Sequence, residues 1–154
     1  MGLLFPTSLL INGILFNTEA MFSLSSKHVE MLEVCEKYLM RNMFNAEMGT
    51  PIESFYIETS TLPLRFILQG RRILYFWTLL RKSECELVKR VFLALREFPA
   101  KNGSDWVSQV RQDLTDCEIF HTDEEISKLS KYKFKRLVNT QINQKASEYL
   151  TGHR

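Results

Sequence analysis

The chain has 154 residues, 45% of them hydrophobic and 25% charged, enough to bury the core of one domain. Its formal net charge of +2 is too small to mark the whole molecule as a nucleic-acid binder. Three cysteines, Cys35, Cys85 and Cys117, are odd in number, far apart and without a Cys-x-x-Cys pair. They argue against a disulfide framework or a zinc ribbon and for a reducing, intracellular setting, nucleus or cytoplasm.

Taken in chain order, residues 1–18 carry no charge. Pro6, Thr7, Ser8, Asn12, Gly13 and Asn17 interrupt the apolar run and no Lys or Arg precedes it, so it reads as a buried helix capped by Thr7 and running to about Asn17. Neither a signal peptide nor a membrane span is expected. Ser25 or Ser26 caps a long second helix, in which Val29, Leu32, Tyr38 or Leu39, and Phe44 or Met43 recur at helical spacing to about Ala46. "TPIE" from Thr50 to Glu53 places an N-cap, a first-position proline and an acid in one turn, predicting a short helix to about Thr59.

Pro63 begins a stretch through Lys82 that is hydrophobic yet carries five basic residues and no acid. On a helical wheel Phe66, Gly70, Ile73, Trp77 and Leu80 form a core stripe, with Ile67 and Leu74 beside it. Arg65, Gln69 and Arg72 line the opposite side with Phe76 among them, and Arg71 and Lys82 flank it next to Tyr75.

Ser83 with Glu86 reads as a capping box for a helix ending before Pro99, "KNGS" from Lys101 to Ser104 as a linker, and Ser104 as the cap of a helix through Leu114. Thr122 with Glu125 forms another capping box, and Ser130 opens a terminal helix to Leu150. With little period-2 alternation, the expectation is an all-α multi-helix bundle of about seven or eight helices without a significant sheet.

The charge is unevenly spread. Residues 1–64 carry three Lys/Arg against seven Asp/Glu, residues 65–101 nine against three, and residues 102–154 eight against eight. An arginine row interleaved with aromatics is a surface suited to phosphates and to ring stacking. The competing reading pairs those arginines with glutamates of the acidic first third. A second run, "KLSKYKFKR" at residues 128–136, puts Lys128, Lys131 and Lys135 on one helical face. No catalytic constellation, metal site or cofactor motif emerges. Cys117 and His121 have a ligand-like spacing but no second pair. Asp123 and Glu124 read as capping and helix-dipole residues rather than as a metal-binding pair.

Read together, several blocks resemble the region that follows the polymerase palm in reverse transcriptases (RNA-directed DNA polymerases) of non-LTR retrotransposons. "SLLINGILFNTEAMFSLSSKHVEMLEVCEKYLMRNMFNA", residues 8–46, is similar to a block in which a "LLFNSE"-like motif precedes a long helix. "TPIESFYIETSTLPLRFILQGRRILYFWTLL", residues 50–80, resembles "TP.E.LYLE.G..PIR.II..RRL.YLH.IL", and "DWVSQVRQDL" and "ISKLSKYKFKRLV" resemble the remaining C-terminal region. Two departures stand out: Ala20-Met21 where many relatives have a Trp after the Glu, and Ser60-Thr61 where they have a Gly before the Pro.

The resemblance implies a thumb-like helical segment over 1–60, basic connector helices over 61–101 and a C-terminal segment over 102–154, joined as one helical unit. It also implies a non-catalytic fragment that meets the palm and fingers of its parent polymerase. The polymerase Y/F-x-D-D motif and the palm block are missing from the sequence, and two-metal nucleotidyl transfer needs those carboxylates. The expected function is binding of a nucleic-acid backbone, an RNA–DNA or RNA duplex, through Arg65, Gln69, Arg71, Arg72, Lys82, Lys128, Lys131 and Lys135. The rivals are a helical protein-interaction module and a degenerate open reading frame.

Overall fold

A computed structural model describes residues 26–45 and 49–152. The helix expected from Thr7 to Asn17, the Ser25 cap, the Ala20-Met21 departure and the Ala46 boundary lie outside the described residues. Among the described residues there are seven α-helices and no strand: α1 (Ser26–Met43), α2 (Ile52–Thr59), α3 (Leu64–Arg81), α4 (Leu87–Glu97), α5 (Trp106–Asp116), α6 (Asp123–Lys128) and α7 (Lys131–Gly152). The protein is all-α, as the periodicity requires. None of these helices is long and apolar enough to cross a membrane.

Local chemistry sets most of the boundaries. At α6 the Thr122 hydroxyl accepts from Glu125 N–H while the Glu125 carboxylate accepts from Thr122 N–H, the full reciprocal box. Ser130 Oγ accepts from Lys133 N–H at the start of α7. α5 is capped by Asp105 and not by Ser104. The nearly buried Asp105 carboxylate accepts from Ser108 N–H, Ser108 Oγ and Ala100 N–H, whereas Ser104 turns back to Asn102. A carboxylate serving three donors outcompetes a hydroxyl for the cap. Ser83 does not form its box either: its hydroxyl accepts from Cys85 N–H in a turn, Glu86 becomes the N-cap residue, and the Glu86 carboxylate pairs with Lys82 at 3.0 Å. Pro51 occupies the N-cap of α2 rather than its first turn. α2 ends at Ser60, which adopts a left-handed φ of +53° and donates its N–H to Ile57 O.

Helix α3 is the axis of the molecule, with α1, α4, α5, α6 and α7 all packed on it. The main core joins Ile73, Phe76 and Leu79 of α3 to Phe92 of α4, Trp106, Val110 and Leu114 of α5, Ile126 of α6, and Phe134, Val138 and Ile142 of α7. α7 comes so near that a Cβ at Gly70 would stand 2.9 Å from Ile142 Cδ1. Smaller clusters tie Met40, Phe55, Tyr56 and Leu150 together, and Leu64 and Leu68 to Val29 and Leu32.

The helical-wheel sorting of α3 needs correction. Phe76 and Arg72, assigned to an outer face, are buried, whereas Trp77 and Leu80, assigned to the core stripe, are half-buried. A helix wrapped by five others has no single apolar side, so its buried residues exceed any one stripe.

Candidate nucleic-acid interface

Both ends of α3 are finished by charged side chains from elsewhere in the chain. At the N-terminus, Glu36 of α1 accepts from Leu64 N–H at 3.3 Å and from the Tyr56 hydroxyl at 2.9 Å through the same oxygen, Oε2. At the C-terminus, Lys89 of α4 donates to the carbonyls of Leu79 and Leu80 at 2.9 and 2.8 Å. A buried carboxyl at the start and a cation at the end satisfy orphan backbone groups, and the cation also opposes the helix dipole. Burial pushes the Glu36 carboxyl up to about 7 against the lowering effect of the Tyr56 hydrogen bond, and burial lowers Lys89. Neither residue was singled out from the sequence. Only a contact across helices reveals these roles.

The eight residues expected to bind nucleic acid separate into groups. Arg65, Gln69 and Arg72 line a cavity of about 430 Å³ between α1, α3 and α5. There Arg65 is bidentate to Glu33, at 2.6 and 2.9 Å, and its guanidinium lies 4.9 Å from the centre of the Tyr149 ring. The Glu33 hydrogen bond raises the Arg65 pKa further. Arg72 is 5% exposed and bidentate to Asp113 of α5, at 2.7 and 2.9 Å. Burial pushes the Asp113 carboxyl up while Arg72 works against that shift. Lys82 pairs with Glu86, and Lys128 ends α6.

Arg71, Lys131 and Lys135 converge. Arg71 comes from α3 and the two lysines from α7, and together with Leu74, Tyr75, Trp77, Thr78 and Phe134 they line a groove of about 320 Å³. The Trp77 indole N–H donates to Leu129 O at 3.0 Å, and Arg81 stacks on the Trp77 ring at 4.9 Å, so the ring is fixed at the groove edge. A second depression on α7 shares Lys135 and continues past Tyr132, Arg136, Asn139 and Asn143. No acidic side chain among the described residues lines either depression. The result is a basic surface with amides, the exposed Tyr132 ring and the half-buried Tyr75 and Trp77 rings, matched to phosphates in charge and to bases or sugars in its rings. Arg136 and Tyr132 belong to it and were not chosen from the sequence, although the "KLSKYKFKR" run already contains them.

Cys117 is buried, with its thiol pushed up to about 11 by burial, and His121 is exposed. Among the described residues no group of three His, Cys, Asp or Glu side chains could hold a metal ion. Asp123 accepts from Arg111 at 2.7 Å and lies 3.5 Å from Arg96, an ion-pair role beside its place in the first turn of α6. No protein-family model, no curated protein and no solved structure matches this chain.

Proposed function

We infer that the chain is a non-catalytic, nucleic-acid-backbone-binding unit equivalent to the post-palm region of a non-LTR retrotransposon reverse transcriptase. The observation that carries this reading is the convergence of Arg71, Lys131 and Lys135 from two helices on one aromatic-edged groove without an acidic side chain among its described lining residues. Two further facts support it. The position of the resembling pattern's glycine falls on Ser60, whose left-handed φ is one that glycine adopts at no steric cost. Arg71 and Tyr75, both part of that pattern, line the groove. In this reading Arg65 and Arg72 hold helices together and the phosphates are met by Arg71, Lys131 and Lys135, with Arg136 at the margin. The expected localisation stays intracellular and the expected ligand is an RNA–DNA or RNA duplex.

Fluorescence anisotropy with a labelled RNA–DNA hybrid at several salt concentrations tests it. Arg71→Ala/Lys131→Ala/Lys135→Ala should flatten the slope of log affinity against log salt by roughly 2–3, from about 0.7–0.9 counterions per phosphate contact. Sequence should not matter, because phosphates carry no base identity. A wild-type slope near zero sinks the reading.

A protein-interaction role has one observation of its own. Met31, Val34 and Tyr38 of α1 lie at i, i+3 and i+7 and are 59%, 64% and 68% exposed. Such a stripe fits a partner's apolar surface, which for a post-palm unit is the palm itself. Under that reading Val34→Asp blocks partner binding and leaves the salt slope untouched.

A further inference from the structure

Helix α4 is apolar on two sides, and the fold uses one of them. Phe92 is buried edge-on against Phe76 of α3, and Lys89 reaches the carbonyls at the end of the same helix. On the opposite side Leu87, Val91, Ala94 and Phe98 recur at spacings of four, three and four, within an arc of about 60° at 100° per residue. Leu87 is 73%, Val91 48% and Phe98 75% exposed, and Ala94 is exposed with them. Phe98 lies one residue past the helix, but its N–H donates to Ala94 O at 2.9 Å and so extends the last turn. An apolar row running the length of a helix in water marks an interaction surface, unlike single apolar residues scattered over a surface.

The flanks of the row specify what covers it. Spacings of four, three and four are those of a coiled-coil seam. One flank is apolar, with Val88 38% exposed. The other carries Arg90 and Glu97, both exposed, seven residues apart and so about 10 Å distant along the axis. They are too far apart to pair with each other, and no ion pair of either is found among the described residues. A partner edge of a single sign would match only one of them. A second copy of the chain matches both. About a two-fold axis between Val91 and Ala94, antiparallel helices set Leu87 across from Phe98 of the second copy and Val91 across from its Ala94. The same flank of each helix then meets its like, so that Arg90 faces Glu97 of the second copy and Glu97 faces its Arg90, offset by about 3 Å along the axis. A parallel pair would set this charged flank against Val88 instead.

We propose that α4 is the contact of a symmetric homodimer, in which the Leu87–Val91–Ala94–Phe98 row packs on its own copy in antiparallel and two Arg90–Glu97 pairs fix the register. A contact of one short helix belongs to the small, transient class, so the dimer should form at high protein concentration only. None of these residues lines the α3–α7 groove, and the proposal does not depend on what that groove binds.

Sedimentation equilibrium of the full chain from micromolar to millimolar concentration should show a reversible monomer–dimer equilibrium. Val91→Asp should abolish it. Arg90→Glu alone and Glu97→Arg alone each set two like-charge pairs across the axis and should each weaken dimerisation about tenfold. Arg90→Glu/Glu97→Arg restores both pairs with their signs exchanged and should return the dimer to nearly wild-type strength. That exchange alters exposed charges alone and stands as a test whether or not Val91→Asp keeps its fold. Lys131→Ala/Lys135→Ala should leave the equilibrium unchanged. The proposal is overturned if the wild type stays monomeric at millimolar concentration, or if the dimer survives Val91→Asp and is lost in Val34→Asp, which would place it on α1. It is equally overturned if neither single charge reversal weakens the dimer, or if the double reversal fails to recover what the single ones lose.

Discussion

Arg71 and Arg72 are neighbours in sequence and serve opposite sides of the same problem. Arg72 turns toward α5 and is locked into Asp113 inside the protein; Arg71 turns toward α7 and joins two lysines on a groove without a carboxylate among its described lining residues. Arg65 goes the way of Arg72, into Glu33. The difference teaches that the charge count of a helix says little about its ligands. What decides is where the rest of the chain places each cation, and the bidentate pairs of Arg65 and Arg72 leave little field for an outside anion.

The largest effect should come from breaking the matched side. Asp113→Ala leaves a buried guanidinium uncompensated and should destabilise the fold by about 3–5 kcal/mol in urea unfolding. Replacing both partners, Arg72→Met with Asp113→Leu, should restore most of that loss, because the pair's attraction roughly offsets its desolvation. A loss under about 1 kcal/mol in Asp113→Ala would mean that water reaches the pair and that the two sides of α3 are alike.

The same side carries the wheel's error, and a pair of aromatic truncations measures it. Phe76, fully buried between Phe92 and the Arg111 guanidinium, should cost about 3–5 kcal/mol as Phe76→Ala. Trp77, half-buried, should cost less, about 2–3 kcal/mol, including its hydrogen bond to Leu129 O. A reversed order would return Trp77 to the core and Phe76 to the surface.

What was legible in the sequence was what is local. The Thr122–Glu125 box, the Ser130 start of α7 and the end of α2 at Thr59 are decided within one turn of chain, and they stand as read. Ser104 and Ser83 failed because a nearby competitor, the Asp105 carboxylate or the Lys82–Glu86 pair, changed the local hydrogen bonding. Arg72 could not be placed because Asp113 lies 41 residues away, and Lys89 because the carbonyls it caps belong to another helix. The site was half legible for the same reason. Arg71, Lys131 and Lys135 could each be picked as basic and outward-facing, but their convergence depends on α7 packing against α3, which the close contact at Gly70 permits.

A smaller effect, in stability against pH, comes from the buried carboxyl that starts α3 and so orients both of its sides. Glu36 is 2% exposed, faces Glu33 and Lys37 of its own helix and Tyr56 of α2, and titrates at about 7 in place of 4.5. Between those values the folded protein keeps a proton that the unfolded chain has released. Stability should therefore fall as pH rises from about 4.5 to 7, by on the order of 3 kcal/mol in all, and stay level above. Glu36→Gln should remove that slope; a wild type whose stability rises across this window would refute the assignment.

The turn that feeds α3 offers a gain. Ser60 sits in the left-handed region, where a Cβ is disfavoured, so Ser60→Gly should stabilise by about 0.5–1 kcal/mol after the extra freedom of glycine in the unfolded chain is subtracted. Ser60→Val should lose more than that, since a β-branched residue is a poor fit there. A loss in Ser60→Gly would mean that the serine side chain secures the turn.

The smallest stability change belongs to the two groove lysines, and its smallness is the point. Lys131 and Lys135 are exposed, and no ion pair of either is found among the described residues. Lys131→Ala/Lys135→Ala should move stability by no more than about 0.5 kcal/mol, the usual range for surface changes away from special features. Arg65→Ala, which leaves the buried Glu33 carboxylate without its partner, should cost more, about 1–3 kcal/mol. If the lysines are silent in unfolding yet flatten the salt dependence of duplex binding, their charge faces outward to a ligand. Should their loss instead cost as much stability as Arg65→Ala and leave binding unchanged, both sides of α3 serve the fold, and the groove is a packing seam between α3 and α7.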